Sequence, residues 1–176
     1  IGAEYGQVSG RSYDMLELYR MEDAEYAMVC IGSSAGTGKA AVDTMRADGK
    51  KVGLVKIRVY RPFPFEDMKA ALSGLKSVAI MDKAEAFTAW GGPIFADARS
   101  ALYDAEDRPQ MISYIYGLGG RDVTVETFYQ IYDELVEAYE KASACKAVDS
   151  GADASGTAGD TCADIELYRY IGVREA

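Results

Sequence analysis

The stretch YAMVCIGSSAGTGKAAVD, residues 26–43, determines how the chain is interpreted. Residues 26–31 form a short, continuous apolar run, which is typical of a strand buried on both faces. Gly32 and several small residues follow, and apolar positions then recur at helical spacing. The pattern predicts a strand, a tight turn and a helix. Because the N-terminus of a helix after a Gly-rich turn attracts phosphate groups, the stretch also raises the question of a nucleotide.

A phosphate-binding P-loop is the first candidate for this turn. That motif requires glycine, four intervening residues and then Gly-Lys-Ser/Thr. Gly38 and Lys39 match its end, but Ser33 stands where the first glycine belongs, and Ala40 stands where a hydroxyl should bind Mg²⁺. With two of its four fixed positions missing, the sequence argues against a P-loop.

The dinucleotide fingerprint G-x-G-x-x-G/A fits better, through Gly36, Gly38 and Ala41. The acidic ribose ligand expected after the second strand is absent, and Arg58 and Arg61 stand there instead. Arginines suit a 2′-phosphate, so a stand-alone NADP-binding, Rossmann-like domain stays open as an alternative.

A structural role for the turn is the third interpretation. Small residues allow a helix to pack close to the sheet, and Ser34 is a candidate cap for that helix. The helix N-terminus would still attract an anion from a ligand or from a neighbouring subunit.

The remainder of the chain repeats the strand–helix alternation. Apolar runs predict further strands at 51–60, 77–82 and 111–120, and helical spacing predicts helices at 36–49, 65–75, 93–102 and 124–142. Strands that alternate with helices over short connections predict right-handed crossovers, a mainly parallel sheet and helices on both faces.

Composition divides the chain into four segments. We predict an N-terminal connecting segment at 1–24 and an α/β domain at 25–143. Residues 144–163 are rich in Ala, Gly and Ser, which predicts a flexible loop. Residues 164–176 are strand-like again, and they either add an edge strand or reach a partner.

The overall composition excludes several classes of function. A net charge of −9 would repel a phosphate backbone, so we expect no nucleic-acid partner. The chain contains no histidine, which removes His-dependent triads and His-liganded zinc. Cys30, Cys145 and Cys162 show no CxxC spacing, so we expect no iron–sulfur cluster or structural zinc held by this chain alone.

Location follows from the same features. No apolar run approaches the roughly 20 residues that span a bilayer, and the N-terminus lacks the pattern of a signal peptide. The three cysteines, one of them inside an apolar run, fit a reducing environment, so we expect a cytoplasmic protein without membrane contact. The chain does not begin with Met, which suggests either a fragment of a longer protein or a missing start.

Ligands of open α/β sheets bind beyond the carboxyl ends of the strands. In this chain those ends lead into loops at 32–38, 60–66, 82–92 and 117–123. Eight residues there are candidates for anion or interface contacts: Ser33, Ser34, Gly36, Thr37, Arg61, Trp90, Arg121 and Asp122.

Each of these loops also allows an ordinary structural interpretation. Arg61 forms either a surface salt bridge or an interface contact, and Trp90, the only tryptophan, is a candidate interface anchor. Arg121 and Asp122 either pair with each other or cap the long helix, with Thr124 as the alternative cap.

The end of the predicted strand 77–82 carries a further group. Asp82, Lys83 and Glu85 would place a carboxylate beside a lysine, an arrangement suited to acid–base work, but a solvated ion pair is the simpler interpretation.

Four segments together carry a family resemblance: YAMVCIGSSAGTGKAAVD, GLVKIRVYRPFPFEDM, AIMDKAEAFTAWGGPIFADARSALY and YIYGLGGRDVTVETF. In this order and at these spacings they resemble the thiamine-diphosphate-dependent 2-oxoacid:ferredoxin oxidoreductases, of the pyruvate:ferredoxin type. The likeness is to the C-terminal domain of the alpha subunit and covers about residues 10–140. The Ala/Gly/Ser-rich stretch 144–163 departs from the family pattern.

The resemblance implies a three-layer α/β/α sandwich of the transketolase C-terminal type. It implies a complex that oxidatively decarboxylates a 2-oxoacid with coenzyme A, giving acyl-CoA, CO₂ and reduced ferredoxin. Within that complex this domain would be a non-catalytic assembly domain, inactive alone and holding no cofactor itself. Thiamine diphosphate, Mg²⁺ and iron–sulfur clusters would lie in other domains or subunits, which would be its partners.

The substrate stays open among pyruvate, 2-oxoisovalerate, 2-oxoglutarate and phenylglyoxylate. An acidic interaction module outside any enzyme is a further alternative, besides the NADP-binding domain.

Overall fold

A computed structural model describes residues 1–11, 13–87, 89–149 and 166–172. For residues 146–149 it describes the backbone only. The elements follow in the order α1 (Gly2–Ser9), β1 (Leu16–Tyr19), β2 (Tyr26–Ile31), α2 (Ser34–Ala47), β3 (Val52–Ile57), α3 (Phe65–Leu72), β4 (Ser77–Asp82), α4 (Pro93–Ala101), β5 (Gln110–Tyr116), α5 (Val125–Asp149) and β6 (Tyr168–Ile171). A short 3₁₀ turn, Leu118–Gly120, precedes α5.

The six strands form one sheet in the order β1-β3-β2-β4-β5-β6. Strands β2 to β6 pair in parallel, and only β1 runs antiparallel, against β3. The expected mainly parallel α/β sheet is therefore confirmed. Central strands carry side chains buried on both faces, which explains why β2 and β4 read as continuous apolar runs rather than alternating ones.

Two apolar layers hold the helices against opposite faces of the sheet. One contains Met28, Leu54 and Tyr114 from the strands with Val42 of α2 and Phe128 of α5. The other contains Val29 and Ile80 from the strands with Met68 of α3 and Phe95 of α4. Residues two apart on a strand point to the same face, so neighbouring strand residues divide between the layers. The expected three-layer α/β/α sandwich is the result.

The N-terminal segment differs from its prediction. Residues 1–24, expected as a connection, contain helix α1 and the edge strand β1. The strand is only four residues long, Leu16–Tyr19, with Leu16 buried, Glu17 and Tyr19 partly buried and Leu18 exposed. That pattern marks a half-covered antiparallel edge, and a run this short gives little periodicity from which to detect it.

The C-terminal segments also differ in part. Helix α5 extends to Asp149, so the start of the predicted loop 144–163 is helical, and residues 150–165 lie outside the described residues. Of the strand-like segment 164–176, Tyr168–Ile171 forms β6, which pairs with β5 at the edge of the sheet. The edge-strand alternative thus holds for the described part of this segment.

Other boundaries shift by a few residues. The strand predicted at 111–120 ends at Tyr116, because Gly117 adopts a φ of 66° and begins the 3₁₀ turn. Helix α2 begins at Ser34, two residues before the predicted 36, and this places Gly36 and Gly38 inside the helix.

Candidate functional site

The candidate site lies at the carboxyl edge of the parallel strands. The connections after β2 and β4 leave on opposite faces of the sheet, toward α2 and α4. Since β2 and β4 are neighbours, the crevice between their ends is the switch point at which open α/β sheets bind ligands. Residues 32–34 follow β2 on one side of that crevice, and residues 83–87 and 89–92 follow β4 on the other.

The turn after β2 is made by Gly32, whose φ of 78° is a conformation that favours glycine. Ser33 occupies the N-cap position of α2, is exposed and makes no capping hydrogen bond through its side chain. Ser34, proposed as the cap, is instead buried, and its Oγ accepts a hydrogen bond from the Tyr116 hydroxyl at 2.9 Å. Of the two serines, Ser33 therefore faces solvent and Ser34 faces the core.

The glycines of the dinucleotide fingerprint do not have the geometry that this motif requires. The first glycine of that motif forms the tight turn, but Gly36 is helical and exposed, and Gly38 is buried inside the helix. A Cβ on Gly38 would lie 2.8 Å from the Phe128 ring and 3.0 Å from Leu54. Close helix packing explains this glycine. Thr37 is half-buried between the two.

Two basic side chains that could bind a nucleotide phosphate, Lys39 and Arg58, form ion pairs within the domain instead. Arg58 donates to Oε2 of Glu17 at 2.8 Å, and Lys39 forms an ion pair with the same carboxylate. The hydrogen bond from Lys39, together with the nearby charge of Arg58, lowers the pKa of Glu17 from its ordinary value. These contacts fasten α2 and β3 to the edge strand β1.

Arg61 forms the surface salt bridge that the sequence allows. Its guanidinium lies 2.9 Å from Oδ2 of Asp97 on α4 and 3.9 Å from the centre of the Tyr60 ring. The Tyr60 hydroxyl donates to the same carboxylate at 2.8 Å. The turn after β3 is thereby connected to α4, and one face of the Arg61 side chain stays exposed.

Asp82 supports the N-terminus of α4 rather than pairing with Lys83. Its carboxylate is buried and accepts the backbone N–H groups of Ile94 at 2.9 Å and Phe95 at 3.2 Å. The N-terminus of a helix supplies unpaired N–H groups and a partial positive charge, which suit a carboxylate. Burial nevertheless raises the pKa of Asp82 to about 6, because it outweighs the two N–H donors.

This shift predicts a pH-dependent stability. The folded chain binds the Asp82 proton more tightly than the unfolded chain, whose carboxyl titrates near pH 4, so the stability contributed by this group is complete below about pH 4 and is lost as the pH rises through about 6. The loss is on the order of 2–3 kcal/mol. Urea unfolding between pH 4 and 7.5 should show this loss directly. The free energy of unfolding of the wild type, minus that of Asp82→Asn, should fall by this amount as the pH rises. A difference that stays constant over this range would contradict the assignment.

The loop after β4 exposes two aromatic side chains. Phe87 is fully exposed, at 101% of its reference area, and Trp90 is 66% exposed. Both lie in the loop between β4 and α4. Large aromatic side chains that remain in water are candidates for covered contacts in an assembly, since they anchor many protein interfaces.

The remaining candidates lie at the end of β5. The Arg121 guanidinium donates to the carbonyl of Gly172, so it joins the turn to β6 rather than pairing with Asp122, which is exposed. Thr124 precedes α5, and its Oγ1 accepts the Thr127 N–H at 3.4 Å. Of the two proposed caps, Thr124 is the one that makes the bond.

Candidate metal ligands are not clustered in the described part of the chain. Within it, no group of three or more His, Cys, Asp or Glu side chains could hold a metal ion. Burial raises the pKa of Cys30 to about 12, so this thiol is neutral at physiological pH, as expected of a core cysteine.

Several contacts at the carboxyl edge are made by residues that sequence reasoning did not single out. Tyr116 joins the end of β5 to the turn after β2, Asp97 joins α4 to Arg61, and Tyr170 of β6 donates to Glu85 of the loop after β4. Phe87 is a missed residue with a visible signal, since it is a large apolar residue three positions before Trp90 in the same loop.

Comparison with known protein families identifies the central part of the chain. A family model described as pyruvate:ferredoxin oxidoreductase core domain II matches residues 24–128. This range includes α2 to α4 and the start of α5.

Relatives extend the match beyond that range. Pyruvate synthase subunit PorA of Thermotoga maritima is 43% identical over 175 residues, covering 99% of this chain and 38% of the relative. Ketoisovalerate oxidoreductase subunit VorA of Pyrococcus horikoshii is 38% identical over 85% of this chain and 38% of its own length. The alpha subunit of an NADH-dependent phenylglyoxylate dehydrogenase from Aromatoleum evansii is 38% identical, over 76% of this chain and 32% of its own. This chain thus spans about two fifths or less of these relatives.

One solved structure shares the fold. The 2-oxoglutarate:ferredoxin oxidoreductase from Magnetococcus marinus, with 2-oxoglutarate, coenzyme A and succinyl-CoA bound, aligns at 18% identity with a TM-score of 0.52. The alignment covers 76% of this chain and 21% of that chain, and the likeness concerns the fold alone.

Proposed function

Because the chain belongs to the pyruvate:ferredoxin oxidoreductase core domain II family, we propose that it is the assembly domain of an alpha-type subunit in a 2-oxoacid:ferredoxin oxidoreductase. The whole complex would convert a 2-oxoacid and coenzyme A to acyl-CoA and CO₂, passing two electrons to ferredoxin. Pyruvate is the favoured substrate, since the Thermotoga relative that aligns along nearly the whole chain is a pyruvate synthase subunit.

The chemistry of the carboxyl edge is the observation that supports an assembly role. Two polar groups that could act as acids or bases are held in structural contacts: Asp82 binds the N-terminus of α4, and Tyr116 donates a hydrogen bond to Ser34. Arg61 and Arg121 are likewise bonded to neighbouring elements. Phe87 and Trp90 stay exposed, which is a surface for binding a neighbour rather than for catalysis.

Cofactors and partners follow from this role. We place thiamine diphosphate, Mg²⁺ and the iron–sulfur clusters in other domains or subunits, with ferredoxin as the acceptor of the whole complex. Ser33, Thr37 and Trp90 would lie in contacts between subunits at the carboxyl edge. None of the helices in the described ranges is both long and apolar enough to cross a bilayer. We propose a cytoplasmic location for the complex.

An activity assay on the parent complex tests the proposal. The complex that contains this chain should contain thiamine diphosphate and reduce a viologen dye only when a 2-oxoacid and coenzyme A are both supplied. Parallel assays with pyruvate, 2-oxoisovalerate, 2-oxoglutarate and phenylglyoxylate should identify the substrate. A complex with no thiamine diphosphate and no activity on any of the four would overturn the proposal.

A further inference from the structure

A cavity lies at the amino edge of the sheet, opposite the loops of the carboxyl edge. Its volume is about 320 Å³, and it lies between the end of helix α4, the start of strand β5 and the residue before β6. Leu102, Pro109, Met111 and Leu167 give it apolar walls. Small-molecule sites usually have this form, a concave volume of a few hundred Å³ with apolar walls and a few polar groups.

Two arginines supply the charge of this lining. Arg99 lies in the last turn of α4, and Arg108 lies two residues before β5. None of the described residues that line the cavity is acidic. The acidic residues nearest in sequence, Asp104, Glu106 and Asp107, are exposed and do not contribute to the lining. The described lining is therefore positive, in a chain whose net charge is −9.

Neither arginine has a counter-charge within the described part of the chain. Most other arginines there form ion pairs with carboxylates: Arg20, Arg46, Arg58, Arg61 and Arg169. Arg99 and Arg108 form no such pair with a described residue, and this includes the exposed Glu166 beside the cavity wall. Guanidinium groups bind carboxylates and phosphates through several N–H donors at once, so this pair can accept an anion from outside the fold.

Contacts within the domain hold both guanidinium groups in place. Nη1 of Arg108 donates to the Tyr103 carbonyl at 3.1 Å, and the Arg99 guanidinium lies 5.4 Å from the centre of the buried Phe95 ring. A cation in the last turn of a helix also offsets the helix dipole, which explains Arg99 but not Arg108. Because both side chains are already positioned, an anion that binds them orders little else on binding.

We infer that this cavity binds a small organic anion. Its acidic group contacts Arg99 and Arg108, and its apolar body lies against Leu102, Pro109 and Met111. Carboxylates and phosphate esters share this chemistry, because both present oxygens that accept hydrogen bonds from guanidinium N–H groups. The site is built from residues of this chain alone, so the inference does not depend on the proposed function.

Calorimetric titration of the 176-residue chain with four probes tests the inference. Benzoate and phenyl phosphate combine an anionic group with an apolar ring, benzamide keeps the ring without the charge, and inorganic phosphate keeps the charge without the ring. At least one of the two aromatic anions should bind with a Kd on the order of 1 mM, as expected for a ligand of about ten non-hydrogen atoms. Benzamide and inorganic phosphate should each bind at least about tenfold more weakly, and the tighter aromatic anion identifies the acidic group.

Variants of the arginines place the bound anion in this cavity. Arg99→Gln and Arg108→Gln should each weaken binding of the aromatic anion by at least about tenfold, and Arg108→Lys should recover part of that loss because it keeps the charge. Arg11→Gln is the matched control, since it removes an exposed arginine that does not line the cavity, and it should keep the wild-type affinity. All three positions are exposed, so the circular dichroism spectra of the variants should match the wild type.

Three results would overturn the inference. In the first, neither aromatic anion shows saturable binding up to about 20 mM. In the second, Arg99→Gln and Arg108→Gln bind the aromatic anion as tightly as the wild type. In the third, inorganic phosphate binds as tightly as both aromatic anions, which would mean that the charges alone attract an adventitious ion. If the chain binds no probe but the two glutamine variants prevent assembly of the parent complex, the arginines contact a neighbouring subunit and the inference is equally wrong.

Discussion

Gly38→Val is expected to lower the free energy of unfolding by about 3 kcal/mol, because overpacking a buried position typically costs 1–3 kcal/mol or somewhat more. A Cβ at this position would lie 2.8 Å from the Phe128 ring and 3.0 Å from Leu54, and both neighbours are completely buried. Neither can move aside without disturbing the layer between α2, α5 and the sheet. For a chain of this size the change corresponds to a fall in Tm of roughly 6–12 °C.

Gly36→Val is the matched control, since it makes the same change two residues earlier in the same helix. Nothing lies within 4 Å of a Cβ at Gly36, and the position is exposed. Because valine is a slightly better helix former than glycine, its unfolding free energy should stay within about 0.5 kcal/mol of the wild type. Urea unfolding of the three proteins gives the comparison. Equal effects at the two positions would show that close packing does not explain the second glycine.

Replacing both Phe87 and Trp90 by serine is expected to weaken binding of this domain to its neighbouring subunit by at least about tenfold. Aromatic anchors at interfaces commonly contribute 2 kcal/mol or more each, and 1.4 kcal/mol is already a factor of ten in affinity. Because both side chains are exposed in this chain, its own stability should change by less than about 0.5 kcal/mol. Sedimentation of the reconstituted complex measures the first effect, and thermal unfolding of the chain measures the second.

Tyr103→Ser is the control for the aromatic surface. Tyr103 is 74% exposed, but it follows α4, which starts at the carboxyl edge and ends at the opposite edge of the sheet. Its loss should leave assembly unchanged. If the Phe87 and Trp90 double variant assembles with wild-type affinity, the carboxyl-edge loop is not an interface and the proposed role of Trp90 is wrong.

The fold was largely predictable because its strongest signals are local. Continuous apolar runs mark β2 and β4, which are buried on both faces, and the spacing of apolar residues marks α5. Short connections between them allow few topologies other than a parallel sheet with helices on both faces. Strand β1 was missed because an exposed four-residue edge carries too few buried positions to show a period.

The candidate site was predictable only as a location. Parallel strands must bring their carboxyl ends to one edge, so Ser33, Ser34, Arg61, Trp90 and Arg121 could be placed there before any contact was known. The contacts themselves join residues far apart in sequence, such as Tyr116 with Ser34, and periodicity contains no information about such pairs.

The stretch at 26–43 shows where the division lies. The sequence by itself determined a strand, a turn at Gly32 and a helix, since these depend on residues next to one another, and counting positions argued against a P-loop. Only the tertiary structure decided why its glycines and serines are there. Gly38 makes room for Phe128 of a distant helix, Ser34 faces the core and Ser33 faces solvent. These roles depend on which surfaces meet after the chain has folded.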